Sequence, residues 1–141
     1  DLYTYKNRKV YVMNNKNENS TTFNESVLFT SNKKVSKTIV VGWKEISRRY
    51  EFNDMSWLYD IKFELLNDNL TDKVICVGPD RYDIATRMKY AGFKKNQIKI
   101  YDNLESARDM IKNKSRGDIF AILNFDYVIP FNDIMEDKQW K

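Results

Sequence analysis

The fold of this chain is decided by the stretch VICVGPDRYDIATRMKYAG, which spans residues 74–92. Val74–Val77 is a continuous apolar run, the pattern of a β-strand that is buried on both faces. The segment Arg81–Ala91 then places a row of apolar side chains on one helical face and ends at Gly92, a residue that favours helix termination. That row consists of Ile84, Ala85, Met88 and Ala91. The stretch therefore predicts a strand that is joined to a helix by a short turn.

Other apolar runs repeat this unit along the chain. Further buried strands are predicted at Thr38–Trp43 and Ile119–Leu123, and another strand is predicted at Ile98–Tyr101. A helix is predicted to begin at Asp102 or Asn103, and its inward residues are Leu104, Ala107 and Ile111. Strands that alternate with helices at this spacing form parallel sheets with helical crossovers.

The N-terminal residues follow a different pattern. β-Branched and aromatic residues lie on both sides of the polar centre Lys6-Asn7-Arg8, which predicts a hairpin or a bent edge strand. We therefore predict an α/β fold with a doubly wound, mostly parallel, Rossmann-like sheet and an antiparallel N-terminal edge.

The remaining segments carry weaker signals. Asn14–Thr22 is predicted to be a polar loop, and Phe23–Thr30 a short helix that Asn24 or Thr22 caps. Residues 55–66 have apolar residues at roughly helical spacing and equally fit a short strand that leads into a helix. Phe131–Trp140 is predicted to form a last amphipathic helix.

In such sheets, functional residues collect beyond the carboxyl ends of the strands. This geometry places the loop that follows Trp43 and the turn Gly78–Arg81 on the same rim. A functional site is therefore expected near these two segments.

The side-chain inventory excludes several classes of function. The chain has no histidine, so it cannot by itself build a Ser-His-Asp or Cys-His catalytic site, nor a zinc site that needs imidazole. Its one cysteine, Cys76, lies in an apolar run and is expected to be buried in the core. Because a single cysteine cannot form a disulfide within the chain, the protein is expected in a reducing compartment. No glycine-rich phosphate loop occurs. The formal charge of +4 comes without the aromatic interleaving of a nucleic-acid binder, and no nucleic-acid partner is expected.

The 141 residues predict a single domain spanning 1–141. No apolar run approaches the ~20 residues that a membrane-spanning helix needs. Because the chain starts at Asp1 without a methionine, we expect it to be a fragment of a longer protein.

Residues 53–64, NDMSWLYDIKFE, place Trp57, Tyr59 and Phe63 among three carboxylates. Large aromatic side chains exclude water, and a carboxylate beside them can orient or charge a partner group. The alternative interpretation is that the aromatic residues belong to the core and the acidic residues are solvated or cap a helix.

Two motifs carry a family resemblance. The first reads Asp54-x-Ser56-Trp57-Leu58-Tyr59-Asp60-x-x-Phe63-Glu64. After Gly78, the second reads Tyr82-Asp83-Ile84-Ala85-x-Arg87-Met88-Lys89-Tyr90-Ala91-Gly92. Together they resemble the C-terminal domain of the Mur-ligase-like subunit (MurT) of lipid II isoglutaminyl synthase over Asn53–Gly92, while the flanks are similar in pattern and element order. The resemblance implies an α/β fold of the Mur ligase C-terminal type, with Asp1 near the junction to a central ligase domain.

The resemblance also implies a function. The full-length protein would be the bacterial ligase subunit that uses ATP and Mg²⁺, bound by upstream Mur ligase domains, to activate the D-glutamate of lipid II in peptidoglycan synthesis. A separate glutaminase (GatD-like) subunit would supply ammonia. No cofactor is expected in this domain itself. The location implied is cytoplasmic, at the inner face of the membrane.

The resemblance assigns site residues as well. Asp54 would be catalytic: it would complete the Cys-His-Asp triad of the docked glutaminase by accepting a hydrogen bond from the partner's histidine. Ser56, Trp57, Tyr59 and Asp60 would bind the partner. Local alternatives are that Asp54 caps the segment carrying Trp57, that Asp60 holds the motif loop through backbone hydrogen bonds, and that the aromatic residues are core or interface anchors.

Two departures from the family pattern fall on the predicted rim. Residues 44–52 lack the family's Asn-Asp pair and Ala-Asp-Gly turn, and Asp80 stands where an arginine is expected, with Arg81 beside it. They favour a second hypothesis, a non-catalytic interaction module that keeps the fold. A third, a nucleotide-binding or receiver-like α/β domain, lacks a phosphate loop. Arg81 and Arg87 fit either a phosphate or carboxylate contact or an ion-paired helix face.

Overall fold

The computed structural model describes residues 1–15, 20–43, 55–136 and 138–140. In these ranges, the strands are β1 (Leu2–Tyr5), β2 (Arg8–Asn15), β3 (Lys37–Gly42), β4 (Thr71–Val77), β5 (Ile98–Tyr101), β6 (Asp118–Asn124) and β7 (Gln139–Trp140). The helices are α1 (Ser20–Asn32), α2 (Arg81–Tyr90), α3 (Leu104–Asn113) and α4 (Phe125–Ile134). Two 3₁₀ turns, Ser56–Asp60 and Phe63–Leu66, lie between β3 and β4.

The strands form one sheet in the order β5-β4-β3-β6-β2-β1-β7. All pairings from β5 to β2 are parallel, and β1 pairs antiparallel with β2 and with β7. The predicted α/β fold, with a mostly parallel sheet and an antiparallel N-terminal edge, is therefore confirmed. The chain proceeds outward from β3 to β5 and then returns to place β6 on the other side of β3. The carboxyl ends of β3 and β6 thus form the switch point at which open α/β sheets bind their ligands.

A hydrophobic layer covers each face of the sheet. Phe23, Trp43, Leu58, Phe63 and Ile84 belong to the layer beneath α1, α2 and the 3₁₀ turns. The opposite layer, beneath α3 and α4, consists of strand residues together with Leu104, Ala107, Ile111, Tyr127 and Phe131. The three adjacent strands β4, β3 and β6 contribute continuous apolar runs because both of their faces are buried.

The local signals at the hairpin and at α3 are borne out. Lys6 and Asn7 both have positive φ, at 46° and 67°, the conformation of the two-residue turns that match strand twist. Asn103 caps α3: its side chain accepts from the Ser106 amide, and the Ser106 hydroxyl accepts from the Asn103 amide.

Three predicted elements differ from the structure. The last helix begins at Phe125, directly after β6, because Tyr127, Phe131 and Ile134 repeat at helical spacing and bury against the sheet. Residues 139–140 instead pair with β1, and Trp140 packs edge-on against Tyr3 with ring centroids 4.9 Å apart. The prediction of a helix over Phe131–Trp140 was thus wrong in its boundaries.

The second difference concerns α1, which already includes Ser20, so Thr22 and Asn24 lie inside the helix and do not cap it. Of the predicted polar loop 14–22, residues 14–15 belong to β2 and residues 20–22 to α1, and residues 16–19 lie outside the described residues. The third concerns residues 55–66, which form neither an α-helix nor a strand. Their backbone bonds connect residues three apart, such as Leu58 to Met55 and Leu65 to Lys62, the pattern of 3₁₀ turns.

Cys76 lies near the carboxyl end of β4 and is buried in the core, as predicted, and burial raises the pKa of its thiol to about 12. The thiolate is the reactive form of cysteine. At pH 8 we therefore expect a thiol reagent to modify Cys76 at least about 100-fold more slowly in the native chain than in guanidinium, as followed by absorbance, because the reagent reaches the sulfur only when the core opens. Rapid labelling of the folded chain would show that the sulfur is accessible and would contradict its placement in the core.

Among the described residues, no helix combines the length and the hydropathy that crossing a membrane requires.

Candidate functional site

The rim predicted from the sequence is present at the carboxyl ends of β3 and β4. Trp43 follows β3, and its indole Nε1 donates a 2.5 Å hydrogen bond to Oδ2 of Asp80. Gly78 lies between them with φ +99°, and a Cβ there would come within 2.3 Å of the Trp43 carbonyl oxygen. Only glycine allows this close approach of the two strand ends. Trp43, at the start of the loop that was predicted to share this rim, therefore lies beside the turn Gly78–Arg81, while residues 44–54 of that loop lie outside the described residues.

Asp80 is a buried carboxylate at this rim. Burial raises its pKa above the ordinary value, and the hydrogen bond from Trp43 partly offsets that rise. Its role here is to hold the indole of Trp43, which an arginine cannot do because it has no acceptor. Next to it, Arg81 forms an ion pair with Asp102 at 3.2 Å, so the ion-paired interpretation of Arg81 is the one observed.

Trp57 attaches the motif segment, residues 55–66, to the rim. Its ring centroid lies 5.2 Å from that of Trp43 and 5.4 Å from that of Phe23. The side chain is half-buried, and its indole N–H is buried without a hydrogen-bond acceptor in the described part of the chain. Trp57 thus acts as a core anchor for the segment.

Asn24, one turn into α1, holds the middle of the motif segment. Its side-chain amide donates to the Asp60 carbonyl at 2.9 Å, and its side-chain oxygen accepts from the Lys62 amide at 2.8 Å. The 3₁₀ hydrogen-bond pattern is interrupted between the two turns, and the Asn24 side chain supplies the hydrogen bonds that the Asp60 carbonyl and the Lys62 amide would otherwise lack.

Arg87 holds the same segment from the other side, and its side chain is only 3% exposed. Its guanidinium donates to the carbonyls of Leu58 at 2.9 Å and Ile61 at 2.6 Å, and to both carboxylate oxygens of Glu64 at 2.9 and 2.8 Å. The planar fork of arginine makes all four contacts at once. The hydrogen bonds from Arg87 hold the pKa of Glu64 below its usual value. The contact therefore stabilises the fold at a pH above the usual pKa of glutamate, and this stabilisation is lost as the pH falls through the lowered pKa.

The outer face of the segment is aromatic and exposed. Tyr59 is 50% exposed and packs edge-on against Tyr90 of α2, which is 74% exposed, with ring centroids 5.6 Å apart. The guanidinium of Arg87 lies 5.2 Å from the Tyr59 ring centroid, on the protein side. The exposed pair Tyr59 and Tyr90 is supported by a rigid base and presents apolar surface to solvent, as interface anchors do.

The predicted site residues are therefore distributed as follows. Ser56, Tyr59 and Asp60 are exposed on one segment, and Trp57 lies half-buried beneath it. Asp60 contacts Asn24 of α1 through its backbone carbonyl, a contact that does not depend on its side chain, so the role predicted for that side chain stays a prediction. Asp54 and the divergent residues 44–52 lie outside the described residues, and Met55 occupies the N-cap position of the first 3₁₀ turn.

Sequence reasoning missed the buried role of Arg87 and the clamp by Asn24. A signal for the first existed: position 87 lies between Ile84 and Met88 on the inner stripe of α2, where a solvated arginine would not be expected. Asn24 offered no such signal, because its partners are backbone groups 36 and 38 residues away.

No group of three or more cysteine, aspartate or glutamate side chains is arranged to hold a metal ion within residues 1–15, 20–43, 55–136 and 138–140.

A mostly parallel sheet with its motif segment docked at the carboxyl rim defines an α/β domain of the Mur ligase C-terminal type. The chain belongs to the MurT ligase C-terminal family, whose model matches residues 16–127. It is also similar to the lipid II isoglutaminyl synthase (glutamine-hydrolyzing) subunit MurT of Streptococcus pneumoniae (strain ATCC BAA-255 / R6), with 23% identity over 86 residues. That match covers 61% of this chain and 19% of the relative, so the chain spans only a small part of the relative's length.

Proposed function

We propose that this chain is the accessory domain of an ATP-dependent ligase that amidates the D-glutamate of lipid II, and that it docks the glutaminase subunit. Membership of the MurT ligase C-terminal family supports this proposal, together with the name of the pneumococcal relative. ATP and Mg²⁺ would act in the upstream Mur ligase domains, at the inner face of the cytoplasmic membrane.

The observation that carries the docking role is the rigidity of the motif segment beneath an exposed aromatic pair. Asn24 and Arg87 fix the backbone from both sides, and Tyr59 and Tyr90 remain open to solvent. A surface that is already ordered loses little conformational entropy on binding, so its apolar area contributes to affinity. Ser56 and Asp60 provide polar groups at its edge, as the rim of an interface requires.

Within the docked complex, Asp54 would supply the carboxylate of the glutaminase triad. The absence of histidine from this chain is consistent with such a division, because the cysteine and histidine would belong to the partner. The carboxylate would accept the histidine N–H, select the tautomer and stabilise the imidazolium.

The second candidate, an interaction module without chemistry, is favoured by Asp80. The family's arginine at this position would present a cation to the rim, whereas the carboxylate of Asp80 is buried and engaged by Trp43.

The docking role is tested by the double variant Tyr59→Ala/Tyr90→Ala in the full-length protein, measured with a candidate glutaminase subunit from the same organism. Because exposed aromatic anchors carry much of an interface's free energy, we expect the Kd of the complex to rise about 10- to 100-fold by calorimetry. Tyr82→Ala is the matched control: Tyr82 is also on α2 and 64% exposed, but does not contact the motif segment, and its Kd should change less than about twofold.

An unchanged Kd in the double variant would place the interface elsewhere. If wild-type protein forms no complex at all, the docking role is wrong.

A further inference from the structure

The rim opposite the motif's Trp57 anchor is formed by the segments that precede the parallel strands. They are residues 6–9, 33–37, 67–73, 91–97 and 112–118, called here the amino rim. Four hydrogen bonds join neighbouring segments: Arg8, Asp118, Lys37 and Gln97 donate to carbonyls of the adjacent segment at 2.5, 2.8, 2.9 and 3.1 Å. The amino rim is therefore one continuous surface.

The charge of the chain is concentrated on this surface. The five segments contain 12 of the chain's 24 basic residues, of which Lys37 is buried, and 3 of its 20 acidic residues. The rest of the chain consequently carries more acidic than basic side chains, although the whole chain is only +4. Charge of one sign on one face creates a directed field that orients the molecule toward an anionic surface.

The three acidic residues of the amino rim already have partners. Asp68 lies 3.9 Å from the buried Lys37, Asp72 pairs with Lys73 at 3.1 Å, and Asp118 accepts the Lys9 amide at 2.9 Å. In contrast, Lys34, Lys94 and Lys95 are exposed and form no ion pair with a carboxylate of the described residues. Their ammonium groups remain available to an external anion.

The five segments of the amino rim have an apolar tip and no exposed aromatic residue of their own; beside them, Phe29 of α1 is 41% exposed and its ring centroid lies 5.2 Å from the Lys33 ammonium. Val35, beside Lys34, is 39% exposed, and the one aromatic residue of the five segments, Phe93, is buried. Single-stranded nucleic acid is held by stacking on exposed aromatic rings, which the five segments do not offer. Lysines around a short apolar tip match the interface of a bilayer, where ammonium groups meet phosphates and a small side chain enters the headgroup layer.

We propose that the amino rim is a docking surface for an anionic phospholipid membrane. The inference rests on charge, exposure and contacts, and it stands whether or not the chain serves lipid II amidation. Trp57 is anchored at the carboxyl ends of the strands, so a membrane at the amino rim leaves that end of the domain accessible. A protein that is bound in this way would be held close to membrane-anchored substrates.

The test is sedimentation of the full-length protein with vesicles of phosphatidylcholine containing 30% phosphatidylglycerol, compared with phosphatidylcholine alone. We expect binding to the anionic vesicles only, and a marked loss between 0.05 and 0.5 M salt because exposed charges are screened. The rim variant Lys34→Glu/Lys94→Glu/Lys95→Glu should lower the partition coefficient about 100-fold, since each lysine near an anionic leaflet contributes about fivefold.

The matched control is Lys62→Glu/Lys99→Glu/Lys138→Glu, which changes the net charge equally but lies outside the amino rim. It should bind anionic vesicles within about threefold of wild type. Circular dichroism of both variants verifies that the fold is retained. Equal loss in both variants, or equal binding to both kinds of vesicle, would overturn the proposal. Tighter rim-dependent binding to single-stranded or duplex RNA than to vesicles at the same salt would overturn it too, and would identify a nucleic-acid surface instead.

Discussion

Replacing Asp54 with asparagine is expected to lower kcat for glutamine hydrolysis by the two-subunit complex about 1000-fold or more. Asparagine keeps the size of the side chain, but its amide favours the wrong histidine tautomer and provides no charge for the imidazolium. The measurement is ammonia release from glutamine by the purified complex under saturating substrate. Because asparagine has nearly the same shape as aspartate, the Kd of the complex should stay within a few-fold of wild type.

The matched control for this experiment is Asp133→Asn. Asp133 is exposed on α4 and lies outside the motif and the proposed interface, so removing its charge should leave kcat within about twofold. If Asp54→Asn hydrolyses glutamine as fast as Asp133→Asn does, Asp54 has no part in the triad. The domain would then act as a docking module without chemistry.

Replacing Arg87 with methionine is expected to lower the free energy of unfolding by about 3 kcal/mol, the largest stability effect that we predict. Methionine fills the volume but leaves the carbonyls of Leu58 and Ile61 without the donor that they have in a buried site. For a chain of this size, the loss corresponds to a fall in Tm of about 10 °C. Urea unfolding followed by circular dichroism measures it directly.

Two further variants separate the reasons for this effect. Lys89→Met removes an exposed cation from the same helix and should change stability by less than about 0.5 kcal/mol. Arg87→Lys keeps the charge but loses the planar fork, so most of the destabilisation should remain. Amide exchange should accelerate first in residues 55–66 in both Arg87 variants. Equal stability of Arg87→Met and Lys89→Met would show that the buried contacts contribute nothing.

Arg87 is important both for the stability of the fold and for the position of the motif segment at the candidate site. In the sequence, it is one residue of an amphipathic helix, and in the structure it fixes the segment that carries Ser56, Trp57 and Tyr59. The stability of α2 and the presentation of the candidate interface therefore depend on the same side chain.

The parts of the fold that depend on local pattern were predictable. The buried strands of the central sheet, the stripe of α2, and the cap of α3 at Asn103 all follow from apolar periodicity and short-range hydrogen bonding. The boundaries of α4 were not, because its start is determined by how Tyr127, Phe131 and Ile134 meet the sheet. The role of Trp140 depends on Tyr3, more than a hundred residues away in the chain.

The candidate site shows the same division. Its motif residues were selected from the sequence, and the joint position of Trp43 and Gly78–Arg81 followed from the topology of parallel strands. The conformation of residues 55–66 did not follow, because apolar spacing suits a helix, whereas Asn24 and Arg87 impose two 3₁₀ turns through contacts with backbone groups. Backbone acceptors have no identity in a sequence, so such clamps become visible only in three dimensions.

By itself, the sequence determined the class of fold and the motif that marks the family, because both rest on which residue types recur at which spacing. It also determined that the chain lacks the histidine that a self-contained triad needs. Only the tertiary structure decided which motif side chains face solvent and which support them. It also brought lysines from five separate segments onto one rim, because the charge of a surface is summed over neighbours in space and not over neighbours in the chain.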